Sequence, residues 1–318
     1  TPERLTGFRD EAHQELGAAG TPSLAAKTEQ LRSRWVDDHM AESGVARASS
    51  LGFPDAYAYT KALGEIATAE SAGAIPVSVV RPAIIESAIA EPSPGWIRGF
   101  RMAEPVIISY ARGLLKEFPG VPEGTIDVIP VDLVVAAICA VAARGPLDPD
   151  DGPDIVQVAS GSVNPLRYGK LVNLVREWFT ENPIYDDMGQ PIPVPEWSFP
   201  GRGRVKKQLQ RAGTMLDRAQ KVFDVLPVRG RQAEVGARLD EQRELVHRAE
   251  GYVDLYGAYA ECEAVYGLDR LLALWDLLDD DDRAAFCFDP RVIDWDVYAP
   301  EIHLPSVVKA GRIPMKPP

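Results

Sequence analysis

The chain has 318 residues, 46% apolar and 25% charged, with a net charge of -13 from 34 basic and 47 acidic side chains. At ~150 residues per domain, this length suggests about two domains with ordinary cores, and it excludes wholesale disorder and a fibrous repeat. The acidic balance argues against general nucleic-acid binding, which needs basic surface against phosphate.

Residues 1–50 are polar and mixed. Thr21-Pro22 is a helix-start signal, and residues 24–40 carry only weak helical spacing through Leu24, Leu31, Trp35 and Val36. Gly52-Phe53-Pro54-Asp55 is turn chemistry. Residues 56–72 hold no proline and predict a helix, with Gly73 as its stop. Residues 75–80 are β-branched and uncharged, which predicts a buried strand ending at Arg81-Pro82. Residues 91–96 are a loop, 124–130 a strand, and 131–143 a helix with Asp132 in its first turn. Residues 154–158 predict a further strand. Asn164-Pro165 then opens a helix over 166–179.

Residues 181–204 are rich in proline and glycine and read as a connector. Helical stretches follow, including a basic face within 202–231 and the acidic run Asp279-Asp280-Asp281-Asp282. Alternation of helix and buried strand predicts an α/β fold. The division expected is 1–180, a connector over 181–204, and a helical region over 205–318.

The sharpest local signal is Tyr57-Ala58-Tyr59-Thr60-Lys61. Tyr57 and Lys61 are four apart, so a helix puts them on one face. An ammonium beside a phenol favours the phenolate, which turns tyrosine into a working proton donor and acceptor. The following strand ends at Val80-Arg81-Pro82, and strand ends are where α/β sheets present residues to ligands.

Three blocks in order resemble the extended short-chain dehydrogenase core of fatty acyl-CoA reductases. They are Tyr57-Ala58-Tyr59-Thr60-Lys61-Ala62-Leu63-Gly64-Glu65, Val79-Val80-Arg81-Pro82-Ala83-Ile84-Ile85-Glu86-Ser87, and Glu91-Pro92-Ser93-Pro94-Gly95-Trp96-Ile97. Phe286-Cys287-Phe288-Asp289 and Ile293-Asp294-Trp295-Asp296-Val297-Tyr298 resemble the small C-terminal domain of the same enzymes. The resemblance implies the C-terminal half of a doubly wound Rossmann-like domain followed by a mostly helical domain. It implies NADPH as cofactor and a long-chain acyl-CoA as substrate, reduced to fatty aldehyde or alcohol. Tyr57 matches the family's proton donor and Lys61 its partner. Pro82, Ile84 and Ile85 match the segment against the nicotinamide. Glu86 and Trp96 are candidates for the acyl side, set against a solvated loop acid and a core tryptophan.

A dinucleotide site needs a glycine-rich turn at a helix N-terminus, and no GxxGxxG occurs in these residues. The chain opens at Thr1 and closes on Pro314-Met315-Lys316-Pro317-Pro318. It is therefore expected to be a piece of a longer protein, starting after the nucleotide-binding half and inactive alone. Two alternatives share some of these features: a nucleotide-sugar epimerase or dehydratase using the same Tyr/Lys pair, and a non-catalytic acyl- or membrane-binding module.

Nine basic residues fall in 202–231: Arg202, Arg204, Lys206, Lys207, Arg211, Arg218, Lys221, Arg229 and Arg231. They suit CoA phosphates or peripheral contact with an anionic membrane, or a solvated helix face. The acidic run Asp279 to Asp282 reads as a helix cap rather than a cation loop. Three scattered cysteines, Cys139, Cys262 and Cys287, fit a reducing, cytoplasmic setting, with Cys139 expected in the core. Scattered His13, His39, His247 and His303 make no metal site expected. No apolar run is long enough to span a membrane.

Overall fold

The computed structural model describes residues 2–17, 21–99, 103–117, 119–145, 147, 154–186, 188–224, 246, 251, 253, 257, 259, 261 and 264–317. The chain divides into two compact units, Thr1–Gly73 and Ala74–Pro318.

The first unit is helical. α1 (Pro2–Leu16) and α2 (Thr21–Ser50) pack together, and Arg4 lies 4.0 Å over the Trp35 ring. The weak spacing over 24–40 thus understates a helix that continues to Ser50. Its buried residues include Leu24 and Ala48, and small alanines pack closely without marking an apolar stripe. α3 (Ala56–Ser71) begins where Asp55 Oδ1 accepts the Ala58 amide at 2.7 Å. Gly73 follows it with φ at +58°, a left-handed value that favours glycine.

The second unit is the α/β part. β1 (Ser78–Pro82) pairs in parallel with β4 (Asp154–Val158), and β2 (Ile84–Glu86) pairs in parallel with β3 (Val128–Pro130). The chain therefore runs on past Arg81-Pro82 instead of stopping there. Ala83 N–H donates to Val158 O and Ile84 N–H to Asp127 O. Successive amides point to opposite edges of a strand. The missing N–H of Pro82 consequently faces away from β4, so the proline costs that ladder nothing.

α5 (Val131–Arg144) follows β3 and buries Leu133, Val134, Ala137 and Val141. Its other side exposes Val135, Ile138 and Cys139, so Cys139 is not the core residue expected. α6 (Tyr168–Glu181) starts after Arg167, later than the sequence suggests. Asn164 is not its cap. Its side-chain amide donates to Pro290 O at 2.9 Å and Ile293 O at 2.7 Å, and its Oδ1 accepts from Trp295 Nε1 at 3.0 Å. α4 (Glu104–Ala111) and α7 (Arg202–Asp224) complete the middle of the chain.

The C-terminal stretch contains α8 (Asp269–Asp276), α9 (Asp280–Ala285) and α10 (Leu304–Ala310). Asp279 caps α9 by accepting the Asp282 amide at 2.8 Å, as the acidic run suggests. Leu271, Phe288 and Trp295 share one core with Val128, Ile129 and Leu133, and with Val156 and Val158 of β4. A second core joins Tyr110, Phe179, Leu304 and Val307. The strands and the C-terminal stretch therefore depend on the same burial.

Phe288 is fully buried in that shared core. Phe288→Ala should cost about 3–5 kcal/mol. Hydrogen exchange read by mass spectrometry should show lost protection in β3 and β4, distant in sequence, and not only around the mutated residue.

Candidate active site

The residues singled out by sequence fall in both units. Tyr57 and Lys61 lie on α3 in the first, with the phenol 69% exposed and the lysine also exposed. The helix that carries them is held by the Asp55 cap and by packing on α2. Tyr59, on the inner side, stacks at a tilt on Phe53 with ring centroids 5.4 Å apart. Tyr57 and Lys61 thus have a fixed backbone and accessible polar ends.

Pro82, Ile84, Ile85 and Glu86 lie on β1 and β2 of the second unit. Pro82 and Ile85 are exposed, and Ile84 is half-buried. Glu86 is not a solvated loop acid: it is 4% exposed. Trp96 is not a core residue, at 42% exposed.

The loop over 87–96 is fastened on two sides. Asp132, in the first turn of α5, accepts the amides of Ile89 at 3.0 Å, Ala90 at 2.8 Å and Glu91 at 3.0 Å. The loop closes on itself through Ala88 N–H to Trp96 O and Gly95 N–H to Ala88 O, both 2.9 Å. On the other side, a Cβ at Gly95 would stand 3.0 Å from Ile302 O and from the Ser306 Cβ. Gly95 also has φ at +76°, so both space and conformation require glycine there.

A buried polar cluster lies where β2 enters this loop. Ser87 Oγ is 3.0 Å from His303 Nδ1 and 3.2 Å from Tyr298 Oη. Tyr298 Oη donates to Ser87 O at 2.7 Å. The Tyr298 and His303 rings stack with centroids 5.8 Å apart. Glu86 Oε2 is 3.9 Å from His303 Nε2 and has no hydrogen-bond partner. Burial, with the nearby Glu104 charge adding, pushes the Glu86 carboxyl well above the usual carboxylate range. Burial also lowers His303 to about 4. Burial thus disfavours the charged form of both groups, which works against an ion pair at this close approach. Burial likewise raises the Tyr298 phenol, so it acts as a donor.

Sequence reasoning names Glu86 as a candidate for the acyl side, reaches Ser87 and Tyr298 only as letters within blocks, and meets His303 only as one of the scattered histidines. A lone histidine in Glu301-Ile302-His303-Leu304 carries no local mark of burial. Its partner is 216 positions away.

Residues 7–138 match an NAD-binding family model described as "Male sterility protein". The chain is 29% identical over 280 residues to "Fatty acyl-CoA reductase 2, chloroplastic" of Arabidopsis thaliana, covering 84% of this chain and 44% of that protein. It is 30% identical over 307 residues to "Alcohol-forming fatty acyl-CoA reductase" of Simmondsia chinensis, covering 93% and 58%. It is 34% identical over 137 residues to "Fatty acyl-CoA reductase 2" of Mus musculus, covering 43% and 26%. The chain spans about half the length of the two plant relatives. An α/β unit with parallel strands agrees with a Rossmann-like, NAD-binding family. Among the described residues no helix is long and apolar enough to cross a membrane, and no cluster of metal-ligating side chains occurs.

The pH dependence of stability tests the cluster. The folded chain keeps the Glu86 proton that the unfolded chain loses above 4.5. That contribution is present in acid and is lost as pH rises. His303 works oppositely: its contribution is present above 6.5 and is lost as pH falls towards 4. Glu86→Gln removes only the first effect. The variant should gain melting temperature over wild type as pH rises above 4.5, where the unfolded chain loses the Glu86 proton. A gain of about 2–4 °C corresponds to ~1 kcal/mol in a domain of this size, and differential scanning calorimetry would read it.

Proposed function

From a chain related to the fatty acyl-CoA reductases through most of its length, we propose the acid–base and nicotinamide-side portion of an NADPH-dependent reductase of long-chain acyl-CoA. The observation that carries this reading is the order of its chemical segments. The Tyr57/Lys61 helix, the strand end at Pro82 to Glu86 and the loop through Trp96 occur in family order. The folded chain gives the first an exposed phenol and ammonium, and gives the last two a fastened wall. The relatives favour an acyl-CoA over a nucleotide sugar as substrate.

Bound NADPH supplies the hydride in this reading. Tyr57 Oη gives its proton to the oxygen of the thioester carbonyl as negative charge develops there. Lys61 Nζ favours the phenolate that remains and donates to ribose hydroxyls. Pro82, Ile84 and Ile85 supply an apolar segment beside the nicotinamide that helps exclude water from it. Glu86 lies behind that segment, and Trp96 offers an exposed ring to the acyl chain.

The division into 1–180, 181–204 and 205–318 belongs to the same proposal, with a cytoplasmic location. Of the basic stretch, Arg204, Lys206, Lys207 and Arg211 lie on α7. The backbone of Arg202, Arg218 and Lys221 is on the same helix, while Arg229 and Arg231 fall outside the described residues. Contact of this stretch with CoA phosphates or an anionic membrane remains part of the reading, and Cys262 also lies outside the described residues.

The test uses a polypeptide that joins this chain to a glycine-rich nucleotide-binding half. Tyr57→Phe should lower acyl-CoA-dependent NADPH oxidation by about 10²–10⁴-fold, the range for loss of a general acid. Retained activity would remove Tyr57 from the chemistry.

A further inference from the structure

The cluster at Ser87 has a definite number of protons, and they can be placed. Tyr298 has one hydroxyl proton, and it goes to Ser87 O at 2.7 Å. Ser87 has one hydroxyl proton for two close neighbours, His303 Nδ1 at 3.0 Å and Tyr298 Oη at 3.2 Å. If Ser87 donated to Nδ1, the approach of Oγ to Tyr298 Oη would contain no proton. If His303 carries its proton on Nδ1, every contact is filled. Nδ1–H donates to Ser87 Oγ, Ser87 donates to Tyr298 Oη, and Tyr298 donates back to Ser87 O.

We infer that His303 is a positioning residue. As the Nδ1–H tautomer it heads a closed hydrogen-bond chain through Ser87 and Tyr298 that fixes the end of β2. The inference rests on the reductase reading for what β2 does, but not for the tautomer. The hydroxyl and the carbonyl oxygen of Ser87 are both committed to the C-terminal stretch, and Ser87 stands two residues after Ile85, the last of the residues placed against the nicotinamide. The chain leaves Nε2 as an acceptor. It faces Glu86 Oε2 at 3.9 Å, an oxygen with no partner of its own. Burial, with the Glu104 charge on α4 adding, favours the protonated form of Glu86, the complementary neighbour for such an acceptor. Asp132 on α5 is the further charged group near Tyr298. The C-terminal stretch thereby enters the reductase site without touching cofactor or substrate.

Two measurements test this. Nitrogen NMR of the 318-residue chain with labelled histidine should show one neutral imidazole protonated on Nδ1 near pH 7, the less common tautomer in water. That signal should vanish in His303→Asn. A proton on Nε2 of His303 overturns the inference, whatever the chain's activity. In the joined polypeptide, His303→Ala should lower kcat for acyl-CoA about 10- to 100-fold, the cost of a small misplacement at a reacting site. The KM for NADPH should stay within about twofold. His303→Asn, whose amide can replace Nδ1–H, should recover most of kcat. Equal kcat per folded molecule in wild type, His303→Ala and His303→Asn would show packing alone and overturn the positioning role. Absence of any acyl-CoA-dependent NADPH oxidation in wild type would sink the reductase reading, and with it the role of β2, while the tautomer is still decided by NMR.

Discussion

Everything in the α/β unit depends on one strand that changes partners. Up to Ala83 its ladder faces β4, and from Ile84 it faces β3 on the opposite edge. A backbone that leaves one ladder must find partners for its amides at once, because buried unpaired N–H groups are costly. Three devices meet that demand. Proline occupies a position whose amide would face away from β4. The Asp132 carboxylate takes three successive loop amides. The carbonyl of Ser87 accepts from Tyr298 and its hydroxyl pairs with His303, so the backbone oxygen and side chain at the strand end, though not the amide, are satisfied from the C-terminal stretch. The second device is also electrostatic: Asp132 stands in the first turn of α5, where the helix dipole favours an anion.

The same logic explains the shared core. β2 and β3 are three residues each, too short to bury much on their own. Phe288, Trp295 and Leu271 supply the apolar surface that covers them. Asn164 ties that cover down, because its amide and carbonyl reach Pro290, Ile293 and Trp295 together. Asp154 is a further anchor. It is buried at the start of β4 and meets Ser78, Arg144 and Arg270. Removing one side of such a buried pair costs more than the pair contributes, which makes it a fixed point rather than a source of stability.

Elements set by local chemistry were legible in the sequence. The α3 helix, α5 and β4 lie where turn residues and apolar runs put them, within a residue or so of the expected ends. Arg81-Pro82 has the letters of a strand end because proline usually ends a ladder. Whether it does depends on which edge its nitrogen faces, and the neighbouring strands decide that. Asn164 before Pro165 has the letters of a cap, yet its side chain is claimed by residues far along the chain. Cys139 sits in an apolar run on a helix whose burial covers only one side. The candidate site divides the same way. Tyr57, Lys61 and the Pro82 to Glu86 segment are contiguous motifs and could be named from letters. His303 and Ser87 could not, since their pairing exists only once two distant stretches share a core.

The proposed chemistry makes different demands on the two units, and their residues are suited to each. A proton donor must be accessible, and Tyr57 stands exposed on a helix with no buried residue of its own. A wall for hydride transfer must be stiff and uncharged, because a small shift is costly and a nearby buried charge would distort the site's electrostatics. Behind β2 burial disfavours the charged forms of two ionisable groups, Glu86 and His303. A closed chain of neutral hydrogen bonds is rigid without adding a field. That combination is hard to obtain with an ion pair, whose two charges would have to be desolvated together. The polar residues behind the strand thus act as a hydrogen-bonded brace for β2, while in the proposed chemistry the charge that favours proton transfer would come from the exposed Lys61.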